Sequence, residues 1–274
     1  MHEDYSSWLS FNEAIPRFFR ATAARMFSIL ERYAVRRFAA VVTVTPPIME
    51  KFRTVNPRTV LVRNFPRASE FAPDGKPPAE WALREDAVCY VGRITPERGI
   101  REMLCATASA NRTRPVKILL GGDLSPGARD IVDSFPKTDS EIHEIFGYVD
   151  RQRISEIFRR ARAGLLLLHP ERNFLVSYPT KLFEYMSAGL PVVASDFPMF
   201  RELDRGIGCC MFVDPLDPEA AASAIIHLLE HPAEAEEMGL RGFRAIREKY
   251  SWESEALTLK TLYDDILRTP ARPT

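Results

Sequence analysis

Three stretches of this 274-residue chain place groups able to grip phosphates and hydroxyls where short apolar runs end. The first is VGRITPERG (91–99), in which Gly92, Arg93 and Arg98 follow an apolar run and precede a helical pattern. Two guanidiniums at the mouth of a strand can clamp a diphosphate and offset charge building on a leaving nucleoside diphosphate. Arg93 and Arg98 are therefore the candidate catalytic residues, although two arginines in a loop are equally familiar as solvated side chains. The second stretch is SYPTKLFEYMSAGLPVVASD (177–196), where a loop enters a helix whose N-terminus can hold an anion. Lys181 can pair with phosphate there, and Glu184 can accept hydrogen bonds from both hydroxyls of a ribose. The plainer alternative makes Lys181 and Glu184 a surface pair three residues apart on a helix. The third stretch is ILLGGDLSPG (118–127), where Gly121 and Gly122 let backbone approach a ligand closely. Its spacing is not GxGxxG, and no acidic residue ends a following strand at the usual distance. That argues against a dinucleotide-dependent dehydrogenase.

The elements that must position these residues alternate from residue 87 onward. Apolar runs at 87–92, 116–122, 141–147, 163–170, 191–195 and 210–214 predict strands. Helical spacing fills 97–110, 125–134, 151–161, 179–188 and 197–204, and three further helices are expected over 217–230, 233–248 and 252–267. Alternation of this kind argues for a parallel, doubly wound α/β sheet with helices on both faces. Ahead of it, 12–38 predicts one amphipathic helix, followed by strands at 40–44 and 59–64 flanking a helix near 47–54. Two strands and two helices cannot close a sheet domain that buries both faces, so further elements are expected in front. The Pro-rich stretch from Pro66 to Pro78 is the expected linker. It divides the chain into residues 1–78 and a larger domain at 79–274.

Composition excludes several classes. A 46% hydrophobic content with 37 basic and 37 acidic residues describes an ordinary globular chain rather than a disordered one. No apolar run reaches the roughly 18 residues of a membrane span, and MHEDYSSWLS is too polar for a secretory signal. Cysteines at 89, 105, 209 and 210 fit neither a zinc knuckle nor a disulfide framework, and reduced thiols of a cytosolic protein are expected. Arg17, Arg20, Arg25, Arg32, Arg36 and Arg37 make the front helix basic. An anionic membrane surface is one partner such a helix could meet. No nucleic-acid-binding motif accompanies it, so nucleic acid is not an expected partner.

In order along the chain, AAVVTVTPPIMEKF, VLVRNFPRASEF, VGRITPERGI, LLGGD, IFGYV, LLLLHP, PTKLFEYMSAGLPVVASD, GIGCCMFVDPLDPEA and YSWESEALTLKTLYDDI resemble glycosyltransferase family four, the retaining GT-B group. The resemblance covers roughly residues 39–267. It implies two Rossmann-like domains, with 79–274 the nucleotide-sugar donor domain and 1–78 a remnant of the acceptor-side domain plus linker. It also implies that Arg93 contacts the diphosphate, that Arg98 stands in for a lysine, and that Glu184 holds the donor ribose. Thr180 and Lys181 match the helix start near the diphosphate; Gly147, Tyr148 and Val149 match the loop that meets the nucleobase. Val176 occupies the position of the motif's first glutamate, so the contact usually made to the donor sugar is lost from the pattern.

The function implied is transfer of a sugar, with retention, from a UDP- or GDP-linked donor to a glycan or lipid-linked acceptor. PTKLFEYMSAGLPVV is similar to a subgroup that builds bacterial surface polysaccharide. No metal and no cofactor are expected. The competing reading is a donor-binding module, either a truncated product or one subunit of a split transferase that needs a separate front-domain chain. A nucleotide-sugar epimerase of similar fold would need acid and base carboxylates that the sequence does not offer.

Overall fold

Strands covered on both faces need no polar alternation, and the central apolar runs of this chain have none. In a computed structural model, which describes residues 16–268 apart from 73, 78–79, 137–141 and 176, those runs form a six-stranded, all-parallel sheet. Its strands are β3 (Ala87–Val91), β4 (Lys117–Gly121), β5 (His143–Ile145), β6 (Ala163–Leu166), β7 (Val192–Ser195) and β8 (Cys210–Val213). Their order is β5-β4-β3-β6-β7-β8. β3, β6 and β7 are buried throughout, whereas the edge strands β5 and β8 are half-buried.

Helices follow the strands as α3 (Ile100–Thr113), α4 (Pro126–Asp133), α5 (Arg151–Arg160), α6 (Arg172–Leu175), α7 (Thr180–Ser187), α8 (Pro198–Asp204), α9 (Pro218–Glu230) and α10 (Pro232–Glu248). Side chains alternate across the sheet with period two. Val88, Tyr90, Ile118, Leu120 and Leu165 share one cluster with Ile100, Met103 and Leu104 of α3 and Ile225 and Leu228 of α9. On β6, Gly164 makes room for the Tyr185 ring of α7, because a Cβ there would stand 2.5 Å from it. Caps follow from sequence too: Asp150, Ser125 and Asp217 accept first-turn N–H groups of α5, α4 and α9.

Contacts divide the chain into two units, residues 66–251 and residues 1–65 joined by 252–274. The boundary falls at the start of the Pro66–Pro78 stretch, and the last helix belongs with the front elements. The front unit holds α1 (Arg17–Val35), β1 (Val41–Thr43), α2 (Pro46–Arg53), β2 (Thr59–Leu61) and α11 (Trp252–Arg268). β1 and β2 pair in parallel. Arg63 explains why α11 sits here. Its backbone N–H and its guanidinium both donate to the buried Glu255 carboxylate, each at 2.7 Å.

Two departures from the periodicity have physical causes. The run at 163–170 leaves the ladder after Leu166, and the Ser195 hydroxyl donates to the carbonyls of Leu166 and Leu168 at 3.1 and 2.8 Å. The helix expected from 97 begins at Ile100, after a 3-10 turn over Pro96–Arg98 and Gly99 at φ 79°. Of the front helix expected over 12–38, Arg17–Val35 is helical, and residues 12–15 lie outside the described residues. All four cysteines are free, Cys89 and Cys209 being buried.

A charge network closes the amino-terminal edge of the sheet. Arg160 donates to Glu85 at 2.6 Å and to Glu144 at 2.7 Å, and Lys117 stands 2.7 Å from Glu85. The Arg160 guanidinium holds the Glu85 carboxyl down at about 2, and lowers Glu144 as well. A carboxyl whose folded pKa lies below its unfolded value near 4.5 stabilises the fold above that value and loses the contribution as pH falls towards 2. The unfolding midpoint should therefore drop across that window, and Glu85→Gln should flatten the drop. A wild-type slope retained in the variant would contradict the assignment.

Candidate functional site

In this strand order the chain reverses direction between β3 and β6, and the loops leaving their carboxyl ends diverge to open a crevice. The candidate residues lie on the loops around that point. Gly92 N–H donates to the Gly121 carbonyl at 2.7 Å, and Gly122 N–H donates to the Gly147 carbonyl at 2.6 Å. Three strand ends are thereby laced by backbone alone. Gly92 and Gly122 have φ of 140° and 137°, a region that side chains avoid. A Cβ on Gly122 would sit 1.8 Å from the Gly92 carbonyl oxygen, and one on Gly92 would sit 2.5 Å from Lys181 Cε. The close approach expected of Gly121 and Gly122 is made by protein: the Gly92 loop stands against Gly122, and the Ile157 and Val149 side chains stand against Gly121, while Lys181 lies over Gly92.

Lys181 Nζ donates to Glu184 Oε2 at 2.8 Å. Their side chains are only 18% and 14% exposed, so the pair is not a solvated surface pair. Arg151 adds a second cation 3.8 Å from Glu184 Oε1 and also pairs with Glu70. Glu184 is thus a carboxylate placed between two cations, with one oxygen in a close hydrogen bond and the other more loosely engaged. Pro179 precedes α7 and no side chain caps that helix, so the N–H groups of Thr180 and Lys181 keep their capacity for an anion, while Leu182 N–H donates back to the Pro179 carbonyl at 3.0 Å. Thr180 is exposed at this helix start.

The two arginines differ. Arg93 is exposed and forms no ion pair among the described residues, while its carbonyl accepts a hydrogen bond from the buried Tyr90 hydroxyl at 3.1 Å. Its backbone is anchored from beneath and its guanidinium is available. Arg98 is half-buried, 5.8 Å above the Phe174 ring and beside the Tyr90 hydroxyl, so its charge is already engaged. Tyr148 is 79% exposed, and Val149 packs at Gly121. Val176 lies outside the described residues, and the nearby Glu171 is exposed.

Sequence reasoning passed over Arg151, Glu70, Tyr90 and His169. The backbone N–H of His169 donates to the Glu97 carbonyl at 3.0 Å, and its Nε2 stands 3.0 Å from Glu102, tying the loop after β6 to the loop after β3. Nothing local marks these residues. Tyr90 reads as core, and Arg151 reads as one more cation at a helix start.

Comparison with known proteins supplies the rest. The family described as glycosyl transferases group 1 matches residues 85–231, more than half of the chain. The chain is 26% identical over 192 residues to the MMP alpha-(1->4)-mannosyltransferase of Mycolicibacterium hassiacum, covering 68% of this chain and 44% of that protein. It is 23% identical over 184 residues to the glycogen synthase of Mycobacterium tuberculosis, covering 64% and 41%. It therefore spans less than half the length of these curated relatives. Among solved structures, the sucrose-phosphate synthase of Thermosynechococcus elongatus superposes with a TM-score of 0.68 at 22% identity, over 97% of this chain and 67% of the other. Anabaena HepE, solved in complex with UDP, gives 0.66 at 15% identity, over 87% and 67%. These neighbours are GT-B glycosyltransferases, and the six-stranded parallel sheet is the Rossmann-like domain of that fold. With more than half of its length inside the family's match, the chain belongs to the glycosyl transferases group 1 family.

Proposed function

We propose that this chain binds a UDP- or GDP-linked sugar at the crevice between β3 and β6 and takes part in its transfer, with retention, to a glycan or lipid-linked acceptor. One observation carries the reading: an available guanidinium, an uncapped helix start and a carboxylate flanked by two cations lie on the loops around the switch point of the sheet. Arg93, with the N–H groups at Thr180 and Lys181, takes the diphosphate and stabilises it as it leaves, so no metal is required. Arg98 braces the loop from below. Glu184 takes the ribose hydroxyls through the oxygen that Lys181 leaves open. The nucleobase rests on the loop at Gly147, Tyr148 and Val149. HepE's complex with UDP supports the choice of nucleotide class, and surface polysaccharide, assembled at the cytoplasmic membrane face, is the proposed destination.

Transfer in this fold needs an acceptor wall facing the donor, because holding both partners in place can supply about 7–11 kcal/mol of barrier lowering. Phe18, Met26, Ile29 and Leu30 on α1 are each more than half exposed, a surface suited to such a wall in cis or in a partner subunit. The alternative cover for that stripe is an anionic membrane surface. A second reading follows, in which the chain alone is a donor-binding module. Incubation with UDP- and GDP-sugars and a lipid-linked or oligosaccharide acceptor extract, with the product anomer read by NMR, tests the proposal. A product with the donor's anomeric configuration supports it, an inverted product refutes retention, and nucleotide binding without transfer favours the module.

Glu184 gives a sharper check. Glu184→Gln should weaken nucleotide binding, measured below the unfolding transition, by about 1.5–3 kcal/mol, the range for a charge-assisted hydrogen bond. Equal affinity for a 2′,3′-dideoxynucleotide would remove the ribose role.

A further inference from the structure

Asp204, Cys209 and Cys210 come together where α8 ends and β8 begins, at the edge of the sheet opposite the donor crevice. The turn between them is tight. Gly206 and Gly208 take φ of 76° and 71°, and the N–H groups of Ile207 and Gly208 donate to the Asp204 carbonyl at 2.8 and 3.3 Å. Arg241 of α10 holds the same turn from outside by donating to the Ile207 carbonyl at 2.9 Å. The side chains at its two ends are thereby brought face to face, with one ligand atom from each within 4.8 Å of the others.

The carboxylate is the unusual member. Asp204 is 8% exposed and forms no ion pair among the described residues. A charge so deeply placed is ordinarily paired with an opposite charge or bound to a metal. Here its oxygens accept only from neutral donors: Cys209 N–H at 2.9 Å, Cys210 N–H at 3.3 Å and the Cys209 thiol at 3.0 Å. A plain hydrogen-bonded cluster accounts for those distances but leaves the buried charge without a counter-ion. The sulfurs supply the second observation. Cys209 Sγ lies 3.8 Å from Cys210 Sγ. A tetrahedral zinc with Zn–S bonds of about 2.3 Å spaces two thiolates about 3.8 Å apart. The pair already stands at that edge length. Cys209 Sγ and Asp204 Oδ1 would have to open from 3.0 Å to about 3.5 Å, a movement within reach of side-chain torsions. Two sulfurs with one carboxylate suit zinc and its tetrahedral analogues, whereas magnesium and calcium take oxygen ligands alone.

We propose that Asp204, Cys209 and Cys210 bind a zinc-class divalent cation, which staples the end of α8 to the edge strand β8. Both thiols lose their protons to solvent on binding. Water takes the fourth position on the side of Cys210, which is only half-buried. The cation is structural, and it lies apart from the diphosphate, whose binding through Arg93 uses no metal. The proposal therefore does not depend on the donor assignment.

The reduced, metal-stripped 274-residue chain is titrated with Co²⁺ and followed by absorption. A single equivalent should raise the visible bands of tetrahedral cobalt together with a sulfur-to-cobalt charge-transfer band, and Zn²⁺ should bleach both. Competition with a chromophoric chelator should place the zinc Kd at about 1 μM or tighter. Cys210→Ser, at the half-buried position, should diminish the charge-transfer band and weaken zinc at least about tenfold. Asp204→Asn, which keeps an oxygen for the Cys209 N–H, should weaken zinc likewise. Cys105→Ser on α3 should leave the spectrum unchanged. Zinc should also raise the unfolding midpoint of the wild type and not that of Cys210→Ser. Absence of the charge-transfer band in the wild type, octahedral cobalt alone, zinc affinity unchanged in Cys210→Ser or Asp204→Asn, or displacement by Mg²⁺ as readily as by Zn²⁺ would overturn the proposal. The wild-type spectrum decides the matter if a variant does not fold.

Discussion

Gly122→Ala should cost about 2–4 kcal/mol of stability and abolish nucleotide binding, because strained backbone and a hard clash coincide there. The residue sits at φ 137°, and the added methyl would lie 1.8 Å from the Gly92 carbonyl oxygen. That neighbour is backbone and cannot rotate away. Relief requires the loops after β3 and β4 to separate, which breaks the bonds from Gly92 N–H to Gly121 and from Gly122 N–H to Gly147. Those bonds set the floor on which Arg93 and Lys181 stand. Urea unfolding and UDP titration of the variant read the two effects independently. A variant with wild-type stability and affinity would show that these loops are not laced as described.

Arg84→Met should be more costly still, about 3–5 kcal/mol, with most of the loss arising from partners left behind. Arg84 is 4% exposed, and it donates to the carbonyls of Phe158, Ala161 and Ala188 at 2.6, 2.7 and 3.1 Å. Those carbonyls belong to the carboxyl ends of α5 and α7, where positive charge is favoured and backbone acceptors lack partners. Burial lowers the guanidinium pKa to about 10, so it remains charged at neutral pH. Methionine keeps the stem's volume and removes the donors. Since α7 presents Lys181 and Glu184, nucleotide affinity measured below the unfolding transition should fall as well. A loss below about 1 kcal/mol, the net worth of a single ordinary hydrogen bond, would mean that water or a neighbour replaces the guanidinium.

Legibility from sequence followed the range of the interactions. The sheet was readable because burial on both faces leaves β3, β6 and β7 without polar alternation. Gly122 was readable as a place of close backbone approach, whereas the positive φ it shares with Gly92 was not. The cradle was not readable as a cradle. Lys181 over Gly92 and Arg151 beside Glu184 depend on loops from different strands meeting at one edge, and no local pattern encodes that meeting. Arg93 and Arg98 look equivalent in the string PERG and its approach, yet Tyr90 and Phe174 engage one guanidinium and leave the other available. Arg84 hides for the same reason. It reads as a surface arginine before a strand, although it closes two helix ends. The last helix reads as a continuation of the donor domain, whereas its contacts, Arg63 reaching Glu255 among them, assign it to the front unit.

Titrating UDP and GDP calorimetrically into the wild-type chain and into Arg93→Ala tests the central claim most directly. At least one nucleotide should bind the wild type, and the exposed guanidinium at the switch point should contribute about 1.5–3 kcal/mol of that affinity, with no shift in the unfolding midpoint. Binding of neither nucleotide, or equal binding by Arg93→Ala, would contradict the placement of the donor diphosphate at this crevice.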